Sequence, residues 1–222
     1  MNRPDKQIIP SFLLERELLA RGYRRIAGID EAGRGALAGP LAVGMVAYNS
    51  GFFSGVFPEA LCEIKDSKQL LPKKRSDLRH VVEAYSEEAL VSMISHTLID
   101  RLNPNRATEY AIRELVERSA APPDVILLDG NYSFDVGVPC VSVIRGDQRS
   151  ISIASASIIS KVARDALMED YGDEFPAYGF RKNKGYGTRT HREALVQFGP
   201  SPIHRWSYEP LKSSEMRGDE DR

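Results

Sequence analysis

Short apolar runs of strand length alternate along this chain with longer segments whose apolar residues recur at helical spacing. Residues 24–30 and 41–48 are strand-like and flank a glycine-rich loop, which suits an antiparallel pair. Residues 89–97, 125–128 and 140–144 are three further strand-like runs. Helical spacing is found over residues 10–20, with Phe12, Leu13 and Leu18 on one side. It returns over residues 72–88, where Pro72 suits the first helical position. Asn103 is a candidate N-cap with Pro104 behind it, opening a helix to residue 119. Residues 151–171 carry small and apolar side chains (Ile153, Ala154, Ala156, Ile158, Val162) that suit a buried helix, and residues 191–198 a shorter one. Residues 51–61 read as loop or a short edge strand. This order predicts an α/β fold, a mixed sheet flanked by helices.

Length permits a full core in one domain. No apolar run approaches the roughly 20 residues that span a bilayer, and the charged residues Arg3, Asp5 and Lys6 do not resemble a signal peptide. Cys62 and Cys140 lie far apart without metal-ligand spacing, so both are expected as reduced thiols in a cytoplasmic protein. The net charge of −1 hides an uneven distribution. From Pro176 to Arg192 there are five basic residues and no acid, interleaved with Tyr178, Phe180 and Tyr186, the pattern of a duplex-tracking surface. Lys73, Lys74, Arg75 and Arg79 form a second basic cluster, and the acidic tail from Glu215 to Arg222 suits disorder.

Three of the strand-like runs lead into carboxylates. Ile29 is followed by Asp30 and Glu31, Leu128 by Asp129, and residues 140–144 by the loop holding Asp147. Active sites of α/β sheets gather outside strand ends, and four converging carboxylates repel one another unless cations compensate. Two divalent ions about 3.5–4 Å apart would do so, and such pairs clamp the attacking and leaving oxygens of phosphoryl transfer. Taken singly, Asp129 before Gly130 also reads as a turn residue and Asp147 as a helix N-terminal acid. Successive strand residues face opposite ways, so Glu31 is expected to join Asp30 because the strand breaks there.

With these residues in view, the chain resembles bacterial ribonuclease HII. The resemblance runs in family order through Gly28-Ile29-Asp30-Glu31-Ala32-Gly33-Arg34-Gly35, Asp66-Ser67-Lys68-Gln69-Leu70, Asp129-Gly130-Asn131 and Gly146-Asp147. It continues through Lys161-Val162-Ala163-Arg164-Asp165, Lys184-Gly185-Tyr186-Gly187-Thr188, His191, and Gly199-Pro200 to Ser207. It implies a ribonuclease-H-like fold with a C-terminal helical extension, one catalytic domain over residues 1–211 and a disordered tail over 212–222. It further implies an endonuclease that cuts the RNA strand of RNA–DNA hybrids and single ribonucleotides in duplex DNA, as a monomer away from membranes. Metal binding, by Mn2+ or Mg2+, falls to Asp30, Glu31, Asp129 and Asp147, with Asp30 the bridging ligand.

Substrate contact falls to Gly33, Arg34, Gly35, Lys68, Lys182, Lys184 and Tyr186. The backbone of Gly33-Arg34-Gly35 would bracket the 2′-hydroxyl that separates RNA from DNA, and Arg34 would pair a phosphate bidentately. The family's tyrosine at Tyr186 stacks on the sugar on the DNA side of the junction. Asp165 is expected to be helix-surface or structural rather than a fourth metal acid; Lys161 and Arg164 are either substrate-facing or solvated. His191 and His204 are expected to be structural or phosphate-contacting rather than ligands. Ser155 and Ser160 stand where alanines are common, and Trp206 and Tyr208 alter the usual closing pattern. Type 3 ribonuclease H is disfavoured by Arg34, where that family has threonine, and by the 29 residues before Asp30, where it has a further domain. A non-catalytic hybrid-binding module would not need all four acids.

Overall fold

Near-continuous apolar and small residues in the central strand-like runs produce a sheet buried on both faces. In the computed structural model, which describes residues 9–213, the strands are β1 (Ile26–Ala32), β2 (Leu41–Ala47), β3 (Glu88–Ile94), β4 (Val125–Asp129) and β5 (Cys140–Val143). They lie in the order β3-β2-β1-β4-β5; β1, β2 and β3 are antiparallel neighbours, while β4 and β5 run parallel to β1. The expected tail beyond residue 213 lies outside the described residues.

The helices are α1 (Leu13–Ala20), α2 (Pro72–Tyr85), α3 (His96–Arg118), α4 (Ile151–Glu174), α5 (Phe180–Asn183) and α6 (Arg189–Phe198). One sheet face, with Ile26, Val46, Val125 and Leu127, packs on Ile153, Ala154 and Ala156 of α4. The other, with Ala27, Ile29, Val43 and Leu128, packs on Ile99, Ala111, Ile112 and Leu115 of α3. The small residues of α4 allow direct backbone contact: a Cβ at Gly28 would lie 2.2 Å from the Ser152 carbonyl carbon. Two serines within α4 are satisfied locally, Ser155 Oγ donating to Ile151 O (2.7 Å) and Ser160 Oγ to Ser157 O (3.1 Å).

Several boundaries differ from the sequence reading. β3 ends at Ile94 rather than residue 97 because Ser95 caps α3, its hydroxyl accepting from Leu98 N–H. Asn103 does cap a helical segment, accepting from Asn105 and Arg106 N–H at 3.0 and 3.2 Å, but from inside α3, where its φ of 67° makes a kink. Residues 51–61 form no edge strand; one-turn helices occupy Ser50–Ser54 and Glu59–Glu63. α2 stops at Tyr85, and α4 runs on to Glu174.

A third core positions the site. Met168 of α4, Phe180 of α5, Ala194 and Leu195 of α6, and Tyr178, Ile203 and Leu211 pack against Leu37 and Ala38, which follow β1. The C-terminal helical region thus rests on the loop that contains Gly33-Arg34-Gly35.

Candidate active site

β1 does not break at its acids. Its ladder with β2 continues through Asp30↔Gly44 and Glu31↔Val43 to Ala32↔Ala42, so the expected break is absent and the two carboxylates keep opposite faces. Asp30 shares the α4 face with Ile26 and Gly28; Glu31 shares the α3 face with Ala27 and Ile29. They still feel a common neighbour because the β1–β4 ladder ends at Ile29↔Leu128, one residue before Asp129. Asp129 Oδ1 accepts from Gly146 N–H at 2.6 Å, tying the end of β4 to the turn that carries Asp147. The structure therefore brings the four acids to one end of β1 and β4.

Their electrostatics are those of crowded carboxylates. Burial, then Glu31 and Asp129, hold Asp30 well above the usual carboxylate range, against hydrogen bonds from Ser157 and from Glu31 N–H (2.8 Å). Burial and Asp129 raise Glu31, with Arg34 opposing. Burial, Asp129 and Asp66 push Asp147 up to about 6. Burial draws the Lys68 ammonium down, but Asp30, Asp147, Asp66 and Asp129 together hold it above its ordinary value, with Nζ 3.9 Å from Asp147. Among the described residues, no three His, Cys, Asp or Glu side chains stand so that they could hold an ion as they are. The donor set nevertheless suits a hard divalent cation: all its atoms are carboxylate oxygens, and Glu31 Oε2 is buried with no hydrogen-bond partner.

Beside the acids opens a cavity of about 300 Å3, lined by Glu31, Ser67, Lys68, Ser157, Lys161 and Tyr186. Tyr186 reaches it from the C-terminal region, its Oη accepting from Gly33 N–H at 3.2 Å. Beneath the loop lies Arg164, fully buried, with Nε donating to Pro40 O (2.8 Å), Nη2 to Ala38 O (3.2 Å), and its guanidinium 5.4 Å from the Tyr186 ring. Neither expectation for Arg164 holds, since it is a prop inside the protein. Arg205, equally buried, donates to Arg34 O, Gly39 O and Pro40 O, and Tyr208 Oη also donates to Arg34 O at 2.8 Å.

The Arg34 side chain differs from the expected phosphate clamp. Its guanidinium lies 4.7 Å over the Tyr132 ring, donates to Thr108 Oγ1 (3.2 Å) and to Asn105 Oδ1, and stands 3.7 Å from Glu31. A fork already bound to α3 is not free to take a phosphate bidentately. Gly35 is open, with nothing within 4 Å of a Cβ built on it.

The basic stretch divides. Lys182 is exposed, whereas Lys184 is largely buried and ion-paired with Glu169 at 2.6 Å, so it differs from the expected free phosphate contact. Lys161 is paired with Asp165 (2.5 Å), which Arg75 also approaches (3.6 Å), in keeping with a structural Asp165. In the second cluster Lys74 pairs with Glu63 and Arg79 with Glu83. Sequence reasoning missed Ser157, Arg205 and Asn105. It also passed over Asp66 of the Asp66-Ser67-Lys68 motif, which accepts from Lys68 N–H and touches Asp147.

The sheet order, the helices and the acids at the end of β1 and β4 define a class: the ribonuclease-H-like fold with a carboxylate centre. Ribonuclease H2 from Pyrococcus horikoshii OT3 superposes with a TM-score of 0.71 at 24% identity, over 85% of this chain and 96% of that one. Bst RNase HIII in complex with Mn2+ gives 0.61 at 17% identity, over 85% and 68%. The sequence narrows the class. The model of the family "Ribonuclease HII" matches residues 27–210, and ribonuclease HII of Carboxydothermus hydrogenoformans is 40% identical over 213 residues, covering 96% of this chain and 89% of that protein. The chain belongs to the ribonuclease HII family and is a metal-dependent endoribonuclease.

Proposed function

We propose that the protein cleaves the RNA strand of RNA–DNA hybrids and single ribonucleotides embedded in duplex DNA, leaving 3′-hydroxyl and 5′-phosphate ends. One observation carries the reading: a single cavity joins the carboxylate Glu31 to Tyr186, whose hydroxyl is held by Gly33 N–H. A sugar seated there meets a scissile phosphate at the acids on one side and the tyrosine ring on the other. Asp30, Glu31, Asp129 and Asp147 are the residues that would hold divalent ions, Mn2+ or Mg2+; Mn2+ is the ion of the Bst RNase HIII complex. Such ions, when bound, supply an activated water and charge compensation at the departing 3′-oxygen.

The chain's own residues do the rest. Ser157 and Glu31 N–H orient the Asp30 carboxylate. Lys68, already within reach of the acids, contributes positive charge where a phosphate would enter. Exposed backbone at Gly35 can approach the 2′-hydroxyl, which both donates and accepts hydrogen bonds. The Tyr186 ring packs on a deoxyribose and crowds a ribose that follows the cleaved nucleotide. The protein is read as a single catalytic domain, monomeric and cytoplasmic, acting in removal of misincorporated ribonucleotides.

Tyr186→Ala tests the substrate reading. Cleavage at a lone ribonucleotide is expected to fall about tenfold or more, the scale of a lost stacking contact, with a smaller loss on continuous RNA in a hybrid. Equal rates on both substrates, relative to the unaltered protein, contradict it. Lys182→Ala is expected to flatten the salt dependence of duplex binding by about 0.9 in log–log slope, one phosphate contact. Lys184→Ala, breaking the pair with Glu169, is expected to change that slope less. A titration of binding against salt checks both.

A further inference from the structure

Behind Tyr186 the protein buries two histidines that the cleavage chemistry does not use. His191 of α6 and His204 of the closing segment are both fully buried, with their Nε2 atoms 3.0 Å apart. Tyr178 and Phe180, stacked at 5.4 Å, wall the pair: Phe180 meets the His191 ring edge-on at 5.3 Å, and the Tyr178 ring lies 5.1 Å from that of His204.

Hydrogen-bond roles in this pair follow from its two ends. Ser201 N–H can only donate and lies 2.8 Å from His204 Nδ1, whereas the Ser201 carbonyl, which could take a proton from that nitrogen, lies farther off at 3.3 Å; the closer contact leaves Nδ1 bare and puts the His204 proton on Nε2. At the far end the Tyr186 carbonyl can only accept and lies 2.9 Å from His191 Nδ1, so His191 carries its proton there and accepts at Nε2. The two deductions meet at one bond, His204 Nε2–H to His191 Nε2, with both rings neutral. Burial, and then His191, keep His204 from charging until about pH 4; burial, with Arg192 adding to it, likewise lowers His191. His96 is a further titratable neighbour, itself lowered by burial, whose charge when present also opposes that of His204.

The chain Ser201–His204–His191 thus ends on the backbone of Tyr186. The adjacent residue, Arg205, ends on the carbonyl of Arg34, in the opposing loop. Two consecutive residues therefore anchor Tyr186 and the loop whose Gly33 N–H meets its hydroxyl. We propose that His191 and His204 are positioning residues which hold Tyr186 in register with Gly33 and thereby set the preference for an isolated ribonucleotide over continuous RNA. This inference rests on the sugar-stacking reading of Tyr186.

Nitrogen NMR of the histidine rings in the unaltered protein at pH 7 is the first test. Protons on His191 Nδ1 and His204 Nε2 are expected; the reverse tautomers or a charged ring overturn the proposal. The second compares His204→Gln, which keeps an amide donor near the Nε2 position, with His204→Leu, which has none. The read quantity is the ratio of single-turnover cleavage at a lone ribonucleotide to that at continuous RNA. His204→Gln is expected to hold this ratio within about threefold, and His204→Leu to lower it about tenfold, as Tyr186→Ala does. Combining His204→Leu with Tyr186→Ala is expected to lower it no further, because both act through one contact. If His204→Leu does not fold, His204→Asn, too short to reach His191, takes its place. An unchanged ratio in Tyr186→Ala removes the stacking reading itself. A lowered ratio in Tyr186→Ala with an unchanged one in folded His204→Leu or His204→Asn overturns the positioning role alone.

Discussion

Asp30→Asn is expected to reduce cleavage at least about a thousandfold, since one change removes a metal-facing charge at the centre of the site. It is also expected to leave the metal-free protein at least as stable as before. Burial, Glu31 and Asp129 all oppose ionisation of Asp30, so a neutral amide relieves repulsion that the carboxylate sustains. The amide oxygen can still accept from Glu31 N–H, the bond Oδ1 now makes at 2.8 Å. Asp30→Asn thus separates chemistry from folding: activity falls while the melting temperature in chelator holds or rises. Near-normal turnover removes Asp30 from the chemistry, and a large fall in melting temperature makes its role structural.

The second large effect distinguishes the two loop glycines. Gly33 has φ of +87°, and a Cβ there would lie 1.8 Å from Arg164 Nε, a group fixed by its bond to Pro40 O. Gly33→Ala is expected to cost about 2–5 kcal/mol, from a strained backbone and an overpacked contact together. It should also displace the N–H that holds Tyr186. Gly35 meets nothing within 4 Å, so Gly35→Ala is expected to shift stability by only about 0.5 kcal/mol. Any large loss of cleavage in Gly35→Ala then comes from the methyl standing where the sugar must approach. Urea unfolding of both variants, paired with cleavage rates, checks this. Equal destabilisation by the two substitutions contradicts the packing of the loop on Arg164.

Much of the fold was legible because local signals agreed with the global answer. Pro72 opened α2, and Asn103 capped a segment from residues visible in sequence. The apolar runs marked all five strands, and the strand ends marked Asp30, Asp129 and the turn of Asp147. What stayed hidden was pairing between distant residues. Nothing in its neighbours says that Arg164 lies under Gly33 and props Pro40 and Ala38, rather than facing solvent or substrate. Lys184 is read as a free cation until Glu169, one helix away, is seen beside it. The fork of Arg34 binds Asn105 and Thr108, which follow the kink at Asn103 in α3, far from it in sequence. The strand break expected at Glu31 failed for a related reason: an apolar run can end in sequence while the backbone ladder, fixed by β2, continues.

One proposal unites the site: a single cavity joins a metal-dependent carboxylate centre to a tyrosine that recognises the sugar junction. It is tested most directly on duplex DNA carrying a single ribonucleotide, incubated with the protein and Mn2+ or Mg2+, with the cut site and end groups mapped. A single cut on the 5′ side of the ribonucleotide, leaving 3′-hydroxyl and 5′-phosphate and abolished by chelator, is the result expected. An intact duplex under conditions where continuous RNA in a hybrid is cut, or cleavage that persists in chelator, would contradict it.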